Sequence, residues 1–394
     1  MSALPASARA AVQTGPGAFE LRELPLPRLG PDDGLLRIEA CGICGSDVEQ
    51  YRGHLGRPEM YPLIPGHEPL GVVAALGERA ARRWGVQVGD RVAVEILRPC
   101  RSCDHCLTGR YMSCPNRHGA YGVTPLSVEP GLWGGFAEYL YLHPNAILHP
   151  VRADIPAELA VMFNPLGAGV RWACELGQVS LGDTVLIEGP GQRGLTSVIA
   201  AKTAGAGTII VTGLERDEHK LALARELGAD HTICVEREDV VERVREITGG
   251  AMADVVLELT PMAEQPIRDA IEAVRHGGRI VLAGLKGGRA IELITDRLIN
   301  KGLTVVGAYG VNAQSYIEAI RIIESGRFPL ERMHSGSFEL ADTERAIREL
   351  GDGGAVHVCI RPGGAAETSA VARDAAAGAR GGGPHANEEV ADAG

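Results

Sequence analysis

Three features are missing from this sequence of 394 residues, and each absence excludes a class of protein. Basic residues do not predominate, with 39 Lys and Arg against 50 Asp and Glu, so the formal charge of −11 predicts no nucleic acid partner. No apolar run approaches the roughly 18 residues that cross a bilayer, which predicts no membrane partner. The start, MSALPASARAAVQTGPG, lacks the basic and apolar segments of a secretion signal, so we expect a cytoplasmic protein.

The composition is that of a globular protein with many turns. Apolar residues make up 45% of the chain, aromatics only 4%, and there are 52 Gly and 23 Pro. At about 150 residues per domain, the length predicts two lobes. Nine cysteines, an odd number without a secretion signal, do not indicate a disulfide framework.

The pattern of apolar runs changes along the chain. From Val12 to about Leu148, short runs such as LLRIEA and GDRVAVEIL are separated by Gly and Pro, which predicts a compact all-β unit with barrel-like closure. After Pro156, buried strands alternate with helical patterns, which predicts a doubly wound parallel sheet. Residues 363–394 are Ala, Gly and a few charges without periodicity, so we expect a disordered tail.

Four cysteines form the first candidate metal site. Cys100, Cys103, Cys106 and Cys114 have two, two and seven residues between them, which lets one loop place four thiolates around a tetrahedral ion. Zinc is favoured over a lone iron or an iron–sulfur cluster, although the spacing alone permits those as well. Because four protein ligands leave no position for a substrate, we expect a structural zinc site.

The motif CGICGSD, followed by GHE, forms a second candidate metal site. Cys44, His67 and Glu68 offer a thiolate, an imidazole and a carboxylate, the ligand set of a catalytic zinc with an open fourth position. Asp47 can accept the free N–H of His67 and fix its tautomer. Ser46, two residues from Cys44, can pass on a proton. A lone Cys or His is more often a packed core residue, but the combination favours the metal site.

The third motif, EGPGQRG, follows the strand DTVLIEG and precedes a helical pattern. Gly189, Gly191 and Gly194 match G-x-G-x-x-G in the strand–turn–helix setting of a dinucleotide-binding fold. We therefore expect a pyrophosphate at the N-terminus of the helix. Arg193 lies inside the turn, where its side chain either pairs with a phosphate or points into solvent.

The acidic residue that commonly binds the ribose hydroxyls is missing from the end of the next strand, where Gly213 stands. A carboxylate there would repel a 2′-phosphate, so its absence permits NADP as well as NAD. Arg216 can attract the phosphate, whereas Glu215 offsets that charge or reaches the ribose itself. These residues favour neither NAD nor NADP.

Taken in order, the motifs resemble the zinc-dependent medium-chain dehydrogenases, and among them the polyol and secondary-alcohol branch near sorbitol and threonine dehydrogenase. The resemblance runs from about residue 8 to 361 and includes ELRELPLP, VGDRVAV, GGFAEY and LARELGAD. It implies an α/β protein with a GroES-like β-barrel catalytic domain over 1–155 and 298–362. A Rossmann domain with a doubly wound parallel sheet is expected over 156–297.

Three positions depart from the family pattern. Asn164, in NPLGAG, stands where the polyol branch has a glutamate and the liver-type enzymes have a ligand cysteine. Glu49 occupies the place of the histidine that ends the family's proton relay, and Gly213 replaces the aspartate that marks NAD preference. Because an amide is a poor zinc ligand, the resemblance implies that Glu68 completes the catalytic set and that Asn164 orients the water on the metal.

The resemblance also implies an activity and an assembly. It implies two zinc ions per subunit, NAD or NADP as cofactor, and hydride transfer between the cofactor and a small alcohol or carbonyl compound. A homodimer or homotetramer is expected, and the apolar strand TVVGAYG is suited to pair at a sheet edge. Tyr51, Tyr121 and Trp133 either line the pocket or pack in the core. Two alternatives stay open: an aldehyde or ketone reductase of the same family, and a non-catalytic protein that binds zinc and a dinucleotide.

Overall fold

The computed structural model describes residues 4–55 and 58–363. The predicted disordered tail therefore lies outside the described residues, apart from its first position. Within the described ranges, no helix is long and apolar enough to cross a membrane. The chain forms two lobes of different architecture, a mainly antiparallel β lobe and a parallel α/β lobe, so the predicted α/β fold class is confirmed.

The strands are short, and the helices cover mainly the second half of the chain. The strands are β1 (Ser7–Gly15), β2 (Ala18–Pro25), β3 (Gly34–Gly42), β4 (Glu68–Leu76), β5 (Arg91–Val94), β6 (Tyr139–Leu142), β7 (Leu148–Pro150), β8 (Thr184–Glu188), β9 (Thr208–Gly213), β10 (His231–Cys234), β11 (Ala253–Glu258), β12 (Val274–Leu282), β13 (Thr304–Gly307), β14 (His334–Phe338) and β15 (His357–Ile360). The helices are α1 (Gly45–Tyr51), α2 (Glu78–Trp84), α3 (Asp104–Leu107), α4 (Ala157–Ala160), α5 (Phe163–Val170), α6 (Gln192–Ala204), α7 (Glu218–Leu227), α8 (Val240–Ile247), α9 (Gln265–Ala273), α10 (Thr295–Lys301), α11 (Ala313–Glu324) and α12 (Thr343–Gly351).

The β lobe is built on a seven-stranded sheet with the order β14-β15-β3-β4-β5-β7, in which β6 also pairs with β3. Its central hairpin, β3 and β4, pairs antiparallel and places Gly42 opposite Glu68. The last strand, β15, pairs antiparallel with β3, so the C-terminal part of the described chain returns to this lobe. This return closes the sheet around one apolar core.

The α/β lobe contains a parallel sheet with the order β10-β9-β8-β11-β12-β13. Its central strands are continuous apolar runs, since helices cover both faces of the sheet. The chain starts at β8, moves outward through β9 and β10, and then crosses to β11 on the other side of β8. This reversal puts a topological switch point, where ligands of such sheets bind, directly after β8.

The parallel sheet extends further along the chain than the predicted boundary at 298. Strand β13 pairs in parallel with β12, from Arg279 opposite Thr304 to Leu282 opposite Gly307. Its apolar sequence TVVG extends the sheet by one edge strand, so placing residues 298–307 with the barrel was wrong. The chain rejoins the sheet of the β lobe with β14.

A buried arginine joins the four-cysteine segment to the β lobe. Arg98 is only 1% exposed, and its guanidinium lies 4.0 Å from the Trp133 ring centroid and 4.9 Å from that of Tyr121. It donates hydrogen bonds to the His118 carbonyl and to Thr124 Oγ1. Trp133 and Tyr121 therefore serve the core, where their ring faces stabilise the buried cation.

His357 on β15 is a buried histidine without polar contacts. It is fully buried, and neither ring nitrogen has a hydrogen-bond partner among the described residues. Burial, reinforced by the neighbouring His334, lowers the pKa of His357 to about 3 from an ordinary value of 6.5. The folded protein therefore holds this ring neutral where the unfolded chain would take up a proton.

We predict that His357→Leu makes stability less sensitive to acid. The contribution of neutral His357 is complete above pH 6.5 and falls by about 1.36 kcal/mol per pH unit as the pH drops towards 3, because only the unfolded chain binds the proton. Between pH 6.5 and 5, the wild type should lose about 2 kcal/mol that the variant keeps. Urea unfolding at pH 7 and pH 5 measures the difference, with the exposed His276→Leu as control. Equal pH dependence of all three proteins would contradict this prediction.

Candidate active site

The four-cysteine segment has the geometry of a tetrahedral metal site. The Sγ atoms of Cys100, Cys103, Cys106 and Cys114 come together, with neighbouring pairs 3.5 to 3.9 Å apart. Four sulfurs about 2.3 Å from a common centre lie about 3.8 Å from one another, so the thiols fit zinc without rearrangement. The backbone N–H of Ser102 lowers the pKa of Cys100 to about 5, which favours the thiolate that binds metal.

Cys44, His67 and Glu68 form the second cluster. One potential ligand atom of each lies within 4.8 Å of the others, and all three residues are buried. Cys44 immediately precedes α1, and Glu68 begins β4, so adjacent ends of the central hairpin carry the donors. The fold therefore brings together the three side chains that the sequence predicted.

The chemistry of these donors fits a zinc ion. Both carboxylate oxygens of Glu68 are buried and have no hydrogen-bond partner among the described residues. Burial, followed by the nearby Cys44 thiolate, raises the pKa of Glu68 to about 8. A buried carboxylate without partners is costly, and a divalent cation beside Cys44 and His67 would satisfy it.

Asp47 and Ser46 orient His67 from two sides. Asp47 Oδ1 lies 3.2 Å from His67 Nδ1, while Oδ2 accepts the N–H of Cys44 at 2.9 Å. Ser46 Oγ lies 3.4 Å from Nε2 on the opposite edge of the ring. Nδ1 is thus engaged by Asp47, which leaves Nε2 directed towards Cys44 and Glu68, the edge a metal would use.

Arg193 reaches the cluster of Cys44, His67 and Glu68 instead of extending into solvent. Its Nη2 donates to Cys44 Sγ at 3.0 Å, and its guanidinium lies 5.2 Å from the Trp172 ring centroid. Burial alone would raise the pKa of Cys44, but Arg193 and then His67 outweigh it and lower this pKa to about 6. The glycine turn of the α/β lobe therefore contributes a positive charge to the cluster in the β lobe.

A cavity of about 370 Å³ opens beside Cys44 and Ser46. Trp172 and Arg193 line it, together with Glu49 at the position of the expected relay histidine. Glu49 Oε2 lies 2.7 Å from Nδ1 of His54, whose side chain is 52% exposed. Glu49 thus connects the cavity to a solvent-exposed imidazole.

The aromatic residue that lines the cavity is not one of the three that the sequence suggested. Trp172 lines the cavity, whereas Tyr121 and Trp133 pack around Arg98 in the core. Tyr51 instead donates its hydroxyl to Glu344 at 2.6 Å. Trp172 stands in a wide turn that continues α5, in which the N–H of Gly177 bonds to the Trp172 carbonyl. Sequence spacing does not indicate this turn.

Asn164 is completely buried, and the tyrosine that it contacts interacts electrostatically with Glu68 and Cys44. Its Nδ2 donates to the hydroxyl of Tyr316 at 2.9 Å, while its Oδ1 has no partner among the described residues. Tyr316 lies 152 residues away on α11, and sequence reasoning missed it because no local pattern connects the two positions.

The glycine turn forms the wall of a second cavity, of about 650 Å³, at the switch point of the parallel sheet. Gly191 caps α6, and Gly189 adopts φ = 106°, in the left-handed region. A Cβ at Gly194 would lie 1.9 Å from the Gly189 carbonyl, so only glycine allows the turn to close. The N-terminus of α6 is left open to a phosphate.

Gly213, Glu215 and Arg216, at and after the end of β9, make different contacts. A Cβ at Gly213 would lie 2.9 Å from Pro190 Cγ, so the proline ring fills the space of a larger residue. Glu215 points away and accepts a hydrogen bond from Arg237 Nε at 2.7 Å. Arg216 lines the cavity and forms no ion pair within the described ranges. The competition expected between Glu215 and Arg216 is therefore weakened.

Comparisons with known proteins agree with this arrangement. Residues 30–153 match the family model of the alcohol dehydrogenase GroES-like domain, and residues 194–325 match that of zinc-binding dehydrogenases. A Mycobacterium tuberculosis protein named as a probable alcohol dehydrogenase is 46% identical over 348 residues, covering 87% of this chain and 94% of its own. The erythritol/L-threitol dehydrogenase of Mycolicibacterium smegmatis is 33% identical, over 89% of this chain and 96% of its own.

Solved structures show the same fold. The alcohol dehydrogenase of Thermus sp. ATN1 superposes with a TM-score of 0.79 at 29% identity, covering 90% of this chain and 99% of its own. A zinc-binding dehydrogenase of Sinorhizobium meliloti, bound to NADP, superposes with a TM-score of 0.81 at 27% identity over 91% of this chain and all of its own.

We predict that Cys103→Ser removes one of two zinc ions per subunit and destabilises the fold. Metal binding at a four-thiolate site contributes directly to folding free energy, so the expected loss is at least about 3 kcal/mol. Elemental analysis and thermal unfolding measure both effects. The lone thiol variant Cys234→Ser serves as control and should keep both ions. A stable Cys103→Ser protein that lacks this zinc would show that the segment is not a structural site.

Proposed function

The chain belongs to the zinc-dependent medium-chain dehydrogenases, and from this premise we propose that it oxidises a small secondary alcohol or polyol with NAD or NADP. The family acts on alcohols and polyols, as the two mycobacterial relatives named above illustrate. The same residues serve the reverse reaction, reduction of the ketone or aldehyde. The chemistry is expected in the cleft between the two lobes.

One observation carries this proposal: the two cavities adjoin. The cavity beside Cys44 and the cavity at the glycine turn share lining residues, among them Gly191, Arg193 and Leu259. A dinucleotide at the turn would therefore extend towards the metal donors. Hydride transfer needs the two reacting carbons in contact, and a shared wall provides the necessary proximity.

Cys44, His67 and Glu68 would hold the catalytic zinc, which when bound supplies a Lewis acid that lowers the pKa of an alcohol. Asp47 keeps His67 in the tautomer that presents Nε2. Trp172 gives the cavity an apolar wall, and Arg193 adds a positive charge beside the donors. These residues would position the substrate hydroxyl next to the donors.

A proton must leave when an alcohol is oxidised. Ser46 lines the cavity beside His67, where its hydroxyl would accept the proton of the substrate hydroxyl and give up its own proton to water in the cavity. Glu49, on the same wall, and its half-exposed partner His54 would accept that proton and release it to solvent. Glu49 and His54 together take the place of the single histidine that the family pattern would put at 49.

Asn164 positions groups in the site without binding zinc. A neutral amide oxygen cannot compete with the Glu68 carboxylate for a cation, and its Nδ2 is engaged by Tyr316. Its Oδ1 is buried and has no partner among the described residues, so it is free to accept a hydrogen bond from a group in the site. Asn164 is thus expected to affect turnover more than metal content.

A panel of primary, secondary and polyhydric alcohols, assayed with NAD and with NADP, tests the proposed function. We expect turnover of secondary alcohols, its loss after chelation, and its return with zinc. Cys44→Ala should lose one zinc ion and essentially all turnover, whereas Asn164→Ala should keep both ions and lose about tenfold or more in kcat. Binding of zinc and dinucleotide without turnover of any alcohol or ketone would contradict an enzymatic role.

The cofactor cavity permits a 2′-phosphate. Gly213 provides no carboxylate to repel it, and Glu215 is turned towards Arg237. Arg216 is the exposed cation on the cavity wall, and Lys220 is already paired with Asp217 at 3.0 Å. NADP is therefore accepted through Arg216, and NAD binds without that contact.

We predict that Arg216→Ala raises the KM for NADP about tenfold and the KM for NAD less than about twofold. An exposed charge-assisted phosphate contact contributes about 1.4 kcal/mol, which corresponds to one decade. Steady-state kinetics with both cofactors measure the split. Arg225→Ala, on α7 outside the cavity, should change neither value. Equal increases in KM for both cofactors would show that Arg216 does not bind the 2′-phosphate.

We also propose that the protein is cytoplasmic and a homo-oligomer, at least a dimer. None of the nine cysteines, all of which lie in the described ranges, forms a disulfide, which suits a reducing compartment. Strand β13 lies at the edge of the parallel sheet, and Val305 on it is 43% exposed. Ile299 and Tyr309 nearby are 73% and 56% exposed, so an apolar edge is available for pairing with a second copy.

We predict that Val305→Lys dissociates the oligomer. A charge on the edge strand opposes strand pairing and apolar contact between copies. Light scattering at micromolar concentration should show a dimer or tetramer for the wild type and a smaller species for the variant. Leu21→Lys, on the exposed strand β2, should leave the mass unchanged. A monomeric wild type would exclude this assembly.

A further inference from the structure

We propose that Arg193 selects substrates with a carboxylate one or two carbons from the reacting hydroxyl, that is, 2- and 3-hydroxy acids. The proposal rests on the dehydrogenase function above and names its substrate class. Oxidation of such an acid breaks the hydroxyl O–H and carbinol C–H bonds. NAD(P)⁺ accepts the hydride, the proton leaves to water, and the oxo acid forms, so the reaction balances.

The first step of the argument is the position of Arg193. Its Nη2 is 3.0 Å from Cys44 Sγ, and it lines both the cavity beside Cys44 and the cavity at the glycine turn. Trp172 lies against the guanidinium at 5.2 Å. An arginine between an aromatic face and a thiolate is held in place, as an anion-binding residue must be.

The second step concerns charge. The anionic groups that interact most strongly with Arg193 are the Cys44 thiolate and then the Glu68 carboxylate. These are two of the proposed metal donors, and their two negative charges would be balanced by a bound Zn²⁺. Asp47 is occupied by His67 and by the N–H of Cys44. Beyond these donors, Arg193 forms no ion pair with a carboxylate within the described ranges.

A largely enclosed guanidinium needs an anion. Nε of Arg193 is buried and has no hydrogen-bond partner in the described part of the chain. A buried cation is disfavoured without an anionic partner, so a ligand with a carboxylate would bind more tightly than its neutral analogue. The complementary group is therefore expected in the substrate or in the cofactor.

The direction of the side chain favours the substrate. The pyrophosphate site is at the main-chain N–H groups of the α6 N-terminus, whereas the Arg193 side chain extends to Cys44. An acid whose hydroxyl is held at the cluster meets Nη2 within a short distance. Because Nη2 is 3.0 Å from Cys44 Sγ, a carboxylate one or two carbons from the hydroxyl suits this site.

The test compares 3-hydroxybutyrate with its neutral amide, using zinc-loaded enzyme. We expect wild-type kcat/KM to favour the acid about tenfold or more, Arg193→Met to abolish this preference, and Arg193→Lys to retain part of it. Arg52→Met, which removes a charge at the exposed cavity mouth, should leave the acid-to-amide ratio within about twofold. Calorimetry of acid and amide binding to each protein gives the same comparison without turnover, and zinc content is measured throughout.

Each result has a defined meaning. No preference of the wild type for the acid, in either kinetics or calorimetry, overturns the proposal. Equal losses of kcat/KM for acid and amide in Arg193→Met also overturn the proposal and indicate that Arg193 serves only to hold Cys44. A raised KM for both cofactors, with an unchanged acid-to-amide ratio, overturns it as well and indicates that Arg193 binds the pyrophosphate. If no alcohol is turned over at all, the dehydrogenase function fails, and acid binding by calorimetry still decides the role of Arg193.

Discussion

Buried negative charge at the end of one hairpin is the constraint that organises this site. Glu68, Asp47 and Cys44 lie within one small volume almost without solvent exposure. Isolated charges of this kind are strongly disfavoured, so each needs a partner. Asp47 is satisfied by His67 and a backbone N–H, whereas Cys44 and Glu68 depend on a cation. The sheet can hold this arrangement because Gly42 opposite Glu68 leaves room for the carboxylate.

The two lobes contribute different residues to the site. The β lobe supplies the donors at the starts of α1 and β4, and the α/β lobe supplies Arg193 from the glycine turn at which we propose that the dinucleotide binds. One short segment therefore lines the dinucleotide cavity and also places a cation in the cavity beside Cys44. A substitution in the glycine turn is therefore expected to affect both the dinucleotide cavity and the cavity beside Cys44.

The sequence predicted those parts of the site whose chemistry is restricted. Four cysteines in one segment, and a cysteine, histidine and glutamate in paired motifs, have few interpretations, and the structure brings each set together. The direction of Arg193 and the contact of Asn164 with Tyr316 depend on packing between distant elements. The same holds for the strand pairing that extends the parallel sheet beyond 298. Spacing along the chain does not encode such contacts.

The contact between Gly213 and Pro190 has an evolutionary consequence. An aspartate at 213, the residue associated with NAD preference in the family, would bring its Cβ within 2.9 Å of the proline ring. A lineage changing its cofactor cannot take that step first without distorting the phosphate turn. A smaller residue at 190 has to come before it, since the two substitutions are in contact and their effects are not additive. The order of mutations at these neighbouring positions is thus constrained by the shape of the turn.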